Sequence, residues 1–209
     1  MQPVTAPDPD LTLVEQAKGG NFPAFEQLMS RHEKRIYGLT VSMLRNREDA
    51  EEATQKSFIS VHEHLSSFRG DSSFGSWLSR IAANASLEII RKRKNNVELA
   101  DAPEGDGSDG LPRPVFIADW SQNPSEIAER TETREILDRA LDSLDIKYRS
   151  VFVLRDVEGM STGEAAEILG ISVANAKVRL LRARLLMREK LTGVFGDPVT
   201  RPSREHHHE

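Results

Sequence analysis

A stretch near the middle of this chain cannot fold by itself, and that decides how the rest is divided. From Asn96 to Asn123 six acids (Glu98, Asp101, Glu104, Asp106, Asp109 and Asp119) stand against one base, Arg113. The same stretch holds Pro103, Pro112 and Pro114, with Gly105, Gly107 and Gly110. Such a composition buries too little apolar surface to offset the entropy of ordering it. At roughly 28 residues it far exceeds the ~4–6 of an ordinary connection. It reads as a flexible acidic linker over residues 95–123, between one unit over 12–94 and another over 124–191, with a tail over 192–209. Val115-Phe116-Ile117 and Trp120 interrupt it as a short segment suited to docking or to packing on a neighbouring unit.

The acid excess of this linker equals the net charge of the whole chain, −5, so the flanking units are balanced. That balance is local rather than uniform. Residues 77–94 hold Arg80, Arg91, Lys92, Arg93 and Lys94 against Glu88. Residues 173–190 hold Lys177, Arg179, Arg182, Arg184, Arg188 and Lys190 against Glu189. Two basic faces and an acidic tether fit two contacts on one polyanion; each face alone also fits an ordinary solvated helix. With no cysteine, disulfides, thiolate nucleophiles and cysteine zinc sites are excluded. No apolar run approaches the ~18 residues of a membrane span. Met1–Asp10 carries prolines and acids rather than a secretory signal. A cytoplasmic location is expected.

The first unit reads as helical. Phe25, Leu28, Met29, His32, Ile36, Leu39, Met43 and Leu44 step by three and four, with Pro23 in the tolerated first turn. His32 lies on the apolar stripe, which makes it a core or boundary residue. Asn46 caps a second helix with Glu48 and Asp49 in its first turn. Its inner stripe is Ala50, Ala53, Ser57, Phe58, Val61, Leu65 and Phe68; its outer side shows Glu48, Glu52, Gln55, Ile59 and Glu63. A single Ile59 among polar groups hints at a protein-binding face, although lone exposed apolar residues are common. After the break at 68–73, a third helix buries Phe74, Trp77, Leu78, Ile81, Ala82, Ala85 and Ile89, and sets Arg80, Asn84, Leu87 and Arg91 opposite. Arginines hold phosphates, and an asparagine reads a base edge or receives an unstacked base.

The second unit carries the most specific signal. Asn123-Pro124-Ser125-Glu126 has the cap, proline and acid of a helix start. Ile127, Arg130, Thr131, Arg134, Leu137, Leu141 and Leu144 follow as one stripe. Asp145 caps a helix expected to bury Tyr148, Val151, Phe152 and the stem of Arg155. Ser161-Thr-Gly-Glu164 is a capping box, and the short helix behind it holds Ala165, Ala166, Ile168 and Leu169. Gly170 turns the chain and Ser172 caps the last helix. Short helix, glycine turn and basic helix form a helix-turn-helix pattern. Val173, Ala176, Leu180, Ala183 and Met187 are expected to face inward. Ala174, Lys177, Val178, Leu181 and Arg182 then face outward, with Arg179 and Arg184 flanking them to hold phosphates. Lysine and arginine donate to guanine, and outward Val178 and Leu181 suit thymine methyls, unless they serve a partner helix.

The two blocks in this order resemble the extracytoplasmic-function sigma factors, sigma-E-like two-domain factors of bacterial transcription initiation. The first block runs Asp49-Ala-Glu-Glu-Ala-Thr-Gln55-Lys-Ser-Phe58, Phe68-Arg-Gly70 and Trp77-Leu-Ser-Arg80-Ile-Ala-Ala-Asn84. The second runs from Leu144 through Arg149-Ser-Val-Phe-Val-Leu-Arg155 and Glu164-Ala-Ala166-Glu-Ile-Leu-Gly170 to Lys177-Val-Arg179-Leu-Leu-Arg182-Ala-Arg184. The resemblance implies an all-α fold with a region 2 helical bundle and a region 4 helix-turn-helix. It implies no cofactor, and core RNA polymerase, promoter DNA and an anti-sigma factor as partners. Asp49, Glu52, Gln55 and Ile59 would grip the clamp helices of the polymerase. Phe68, Asp71 and Asn84 would line the pocket for a flipped minus-ten base, with Arg80, Arg91, Lys92 and Arg93 holding the strand. Ala174, Lys177, Val178, Arg179, Leu181, Arg182 and Arg184 would serve the minus-thirty-five element. The linker would thread the polymerase cleft toward the RNA exit path. Lys56 stands where relatives more often carry an acid. Asn175, Ala176 and Val178 replace the usual Thr-Val and a Ser, so the upstream promoter sequence does not transfer.

Two other readings compete. A conventional helix-turn-helix regulator uses residues 144–191 and leaves the first block idle. A sigma mimic that only sequesters an anti-sigma factor has no need of Asn84, Lys177, Arg179 and Arg182. An enzyme is the least expected: His62 and His64 lie ~200° apart on a helix and make no ligand pair. No nucleophile–base constellation or phosphate-cradling glycine loop is visible. His206, His207 and His208 read as a tail end rather than a metal site.

Overall fold

The structure, a computed structural model, describes residues 8–93 and 131–195, with side chains described for 8–93 and 135–192. The linker with its Val115–Trp120 segment, the Asn123 helix start, the positions Ile127 and Arg130, Lys94 and the final histidines lie outside the described residues. Every regular element among the described residues is helical, as expected.

The first unit comprises α1 (Leu11–Lys18), α2 (Phe22–Leu44), α3 (Arg47–His64) with a following 3-10 turn (Leu65–Ser67), and α4 (Phe74–Arg93). Two asparagines cap its long helices, and of these the sequence reading names Asn46. The Asn21 side chain accepts from the Ala24 N–H at 3.1 Å, and that of Asn46 from the Asp49 N–H at 2.9 Å. Leu28, Ile36, Leu39 and Met43 of α2 meet Ala50, Ala53 and Val61 of α3 and Phe74, Leu78 and Leu87 of α4. The alanines let α2 and α3 approach closely, so Thr40 bonds Thr54 at 3.0 Å inside the seam. His32 is buried and pairs with Asp10 at 2.7 Å, confirming its place in the core boundary. Leu87 is 1 % exposed, which corrects its assignment to the outward line of α4. It stands one residue short of the true outward position, Glu88, and the α2–α4 contact claims it.

The second unit comprises α5 (Thr131–Asp142), α6 (Ile146–Phe152) with a wide π turn (Val153–Val157), α7 (Thr162–Leu169) and α8 (Val173–Phe195). In the wide turn the Glu158 N–H reaches the Val153 carbonyl at 2.9 Å. Val153 and Leu154, four residues on from buried Arg149 and Ser150, are buried, while Tyr148, Phe152 and Arg155 are half-buried, so the inner face of α6 is offset from the stripe read in the sequence. Val173 is likewise exposed rather than inward, because it lies in the first turn of α8 beyond the reach of α7.

The two units are not independent. Val151, Leu154, Ala165 and Leu169 belong to the same apolar cluster as Leu28, Phe74 and Leu87. Arg149, 8 % exposed, donates from Nε to the Met43 carbonyl (3.3 Å) and from one terminal nitrogen to the Leu144 carbonyl (3.2 Å). Burial lowers its pKa, and the two carbonyls offset part of the cost of holding a charge there. Around this core, Glu158 accepts from Arg35 at 3.0 Å and Ser79 at 2.9 Å. Arg45, which ends α2 in a left-handed conformation (φ 52), bonds Asp138 at 3.1 Å and also Asp142.

Leu154→Ala is expected to cost about 2–5 kcal/mol in denaturant unfolding, as for other fully buried leucines; a loss below about 1 kcal/mol would mean the shared core is not formed. Arg45 holds the Asp142 carboxyl below its ordinary value of 3.8. The stability this contact contributes is therefore complete above about pH 4 and lost as pH falls through the lower folded value. Asp142→Asn is expected to flatten the acid limb of a stability-against-pH curve, and an unchanged limb would contradict the contact.

Candidate polymerase and nucleic-acid interfaces

The helix-turn-helix is built by its caps. Ser161 accepts from the Glu164 N–H at 3.2 Å while Glu164 accepts from the Ser161 N–H at 2.8 Å. The Ser161 hydroxyl and, after it, the Ser161 N–H hold the Glu164 carboxyl below its usual range. Gly170 takes φ 70, a conformation that favours glycine, and ends α7. The Ile171 N–H returns to the Ala166 carbonyl at 3.0 Å, and Ser172 accepts from the Asn175 N–H at 3.1 Å to start α8. Ala176, Leu180, Ala183 and Met187 turn inward. Ala174, Lys177, Val178 and Leu181 are exposed together on the opposite side, joined by Val173.

Two arginines of α8 do not stand where the sequence reading set them. Arg179 is 3 % exposed, since its position falls between Ala176 and Ala183 on the inner stripe. Its guanidinium is not offered to a phosphate. Arg184 forms a two-pronged pair with Asp156 at 2.6 and 2.7 Å, which raises its pKa. A phosphate at Arg184 would have to displace that carboxylate. Arg182 is half-buried and donates to the Tyr148 hydroxyl at 3.3 Å, which steadies it at the edge of the exposed face.

In the first unit, α3 presents Glu48, Glu52, Gln55, Ile59 and Glu63 to solvent, with Ile59 58 % exposed. Asp49 is not part of this face. It is 6 % exposed, and its carboxylate receives Arg93 at 2.6 Å. That ion pair occupies the buried Asp49 carboxylate, while the Arg93 side chain stays 53% exposed. Glu52 pairs with Lys56 at 2.7 Å, and Glu88 with Lys92 at 2.5 Å. Each glutamate is held below its usual range by its own lysine. Lys56 is thus paired on the spot with Glu52.

The outward line of α4 is Arg80, Asn84, Glu88 and Arg91. Arg80 bonds Glu167 of α7 at 2.7 Å, so this end of the line is turned toward the second unit. Asp71 is exposed in the loop before α4, where Gly70 takes φ 80. Phe68 is 4 % exposed and packs on Phe74 (centroids 5.7 Å apart) and Trp77 (5.2 Å), which corrects its placement as a base contact. An aromatic at the foot of a loop is drawn into the core because burial stabilises more than a solvent-facing position. Sequence reasoning missed Glu158 and Glu167, whose partners lie 79 or more residues away and leave no local spacing signal. Among the described residues no group of histidines and acids is arranged to hold a metal, and no helix is long and apolar enough to cross a membrane.

Both units match known families. Residues 28–96 match Sigma-70 region 2 and residues 134–187 match Sigma-70, region 4. The chain is 33% identical over 178 residues to the ECF RNA polymerase sigma factor SigW of Bacillus subtilis, covering 85% of this chain and 94% of that protein. It is 31% identical over 187 residues to the ECF RNA polymerase sigma-E factor of Escherichia coli, covering 87% and 94%. Among solved structures, it is similar to the sigma factor RpoE in complex with the anti-sigma factor NepR from Bartonella quintana (TM-score 0.55, 25% identity, 80% and 96% coverage). It is also similar to CnrH in complex with the cytosolic domain of CnrY (TM-score 0.53, 26% identity, 88% and 98% coverage). Two sigma regions in the right order and relatives matched over nearly their full length place it: the chain belongs to the extracytoplasmic-function family of RNA polymerase sigma factors.

Proposed function

We propose that this sigma factor divides its work among three faces. The exposed side of α3, from Glu52 and Gln55 to Ile59, docks on core RNA polymerase. Residues 12–94 form the unit that docks and captures the minus-ten base, with Asp71 and Asn84 at the pocket and Arg80, Arg91 and Lys92 along the strand. Residues 124–191 read the minus-thirty-five element through Ala174, Lys177, Val178, Leu181 and Arg182. The acidic stretch 95–123 tethers them, and 192–209 is a tail. The observation that carries this reading is the α8 face. Val178 is 37 % exposed and Leu181 54 % exposed beside Lys177, a combination poor for water and good for a groove with thymine methyls and guanine acceptors.

The factor acts by binding, not by catalysis. Extruding a base costs a few kcal/mol of unstacking, and a shaped pocket offsets it. At a net charge of −5 the free chain holds DNA weakly, because affinity leans on neutralising phosphates. Docking on polymerase sets both faces on one promoter, and the tether makes the second contact intramolecular. The Arg80–Glu167 pair must then open. Both partners are substantially exposed, so the pair is weak and a strand phosphate can replace Glu167. An anti-sigma partner is part of the proposal, supported by the related RpoE solved with NepR. A conventional helix-turn-helix regulator would leave the region 2 match without a role.

Run-off transcription with core polymerase and a matched promoter tests this. Lys177→Ala and Leu181→Ser are each expected to lower output about 5- to 150-fold, the range of one lost base contact. The same variants should leave a promoter lacking the upstream element unaffected. Specific binding by the free chain as tight as that of the holoenzyme would overturn the division of labour.

A further inference from the structure

The loop between Phe68 and Phe74 is short, exposed at Arg69–Ser73, and tied down by residues far away in sequence. At its entry, Lys18 Nζ donates to the Phe68 carbonyl at 2.8 Å and sits over the Phe68 ring, 5.7 Å from its centroid. At its exit, the Asp8 carboxylate accepts from the Phe74 N–H at 2.6 Å. Lys18 ends α1 and Asp8 precedes it, so one eight-residue helix holds both ends of the loop.

That helix is itself anchored. Asp10, 4 % exposed, pairs with His32 at 2.7 Å and with Arg31, both on α2. Asp8 is oriented by the Asp10 N–H at 3.1 Å, and its own carbonyl accepts from Leu11 at 3.1 Å. Val14 is fully buried in the core. The contact at Phe74 is not needed to start α4. Ser73 already caps that helix, accepting from the Ser76 N–H at 3.2 Å, and its carbonyl takes the Trp77 N–H at 3.1 Å. The Asp8 carboxylate comes in addition, from 66 residues away, and fixes where the loop ends.

We propose that α1 is a clasp that sets the base-reading geometry of the 68–74 loop, with Asp8 and Lys18 as its positioning residues. This rests on reading that loop, with Asp71 and Asn84, as the minus-ten base pocket. Capturing a flipped base needs a pocket held to a fraction of an ångström, because a loop free to relax accepts wrong bases about as well as right ones. The clasp supplies that restraint from outside the loop, leaving Arg69–Ser73 open to the strand.

The test uses the full chain assembled with core polymerase, and promoters that differ at single minus-ten positions. The readout is the ratio of open-complex formation on the best base to that on the other three. Asp8→Asn and Lys18→Met are each expected to lower that ratio about two- to tenfold, the span of one lost hydrogen bond. Discrimination at the minus-thirty-five element should stay unchanged. Leu141→Ala, a cavity in the separate apolar cluster of the second unit, controls for stability: it should lower Tm and activity across the minus-ten series equally and leave the ratio intact. If Asp71→Ala changes the ratio but neither clasp variant does, the clasp proposal fails. If Asp71→Ala leaves the ratio unchanged, the pocket reading itself fails and the clasp with it.

Discussion

The burial of one side of α4 is the constraint on which the rest of the molecule depends. Phe74, Leu78, Ala82 and Leu87 are inserted between α2 and α3, and none is more than 1 % exposed. That fixes the rotation of the helix about its axis. Asn84 and Arg91 are then solvent-facing, and Arg80 is aimed at α7, without any further interaction being needed. The same insertion draws Phe68 and Trp77 inward against Phe74, which fixes the foot of the loop. The polar line of α4 thus follows from its apolar one. A core substitution that rotated α4 would move the polar line before it unfolded the unit.

A second constraint joins the two units. Arginines of α2 and α4 meet carboxylates of the second unit at Arg35–Glu158, Arg45–Asp142 and Arg80–Glu167. These are groups a nucleic acid also competes for. Each pair has at least one exposed partner, which lets salt screen it, and Arg80–Glu167, exposed on both sides, contributes least; the apolar cluster beneath them contributes the larger share. The arrangement is therefore closed but cheap to open at its rim. Gly75 shows how tightly the rim is packed on the α2 side. A Cβ there would stand 2.7 Å from one Arg35 terminal nitrogen and 3.2 Å from the His32 ring, so a side chain at this position must shift the end of Arg35, whose other terminal nitrogen holds Glu158.

Much of this was legible in the chain. Helix starts at Asn46, Asp145, Ser161 and Ser172 announce themselves through capping chemistry, and Gly170 through its turn. The apolar stripes of α2 and α3 follow from their period. What escaped was whatever depends on partners distant in sequence. Asp49 reads as an exposed first-turn acid until Arg93 is found beside it. Arg179 reads as a phosphate contact until the inner stripe of α8 passes through it. Leu87 differs by one position from Glu88, and only the packing of α4 on α2 decides which of them is outside. The inner face of α6 passes through Arg149, Ser150 and Val151, and Arg149 reads as a surface residue until the Met43 carbonyl is found beside it. Asp8 and Lys18 carry no motif at all, because their contacts cross 66 and 50 residues.

The central claim is that two surfaces on two small helical units select a promoter together, and do so only on the polymerase. Selection of bound sequences from a randomised promoter library, with and without core enzyme, measures this most directly. With core enzyme, two blocks of fixed bases separated by a constant spacer should emerge, and Lys177→Ala should erase the upstream block alone. A single block recovered equally well by the free chain would contradict the account.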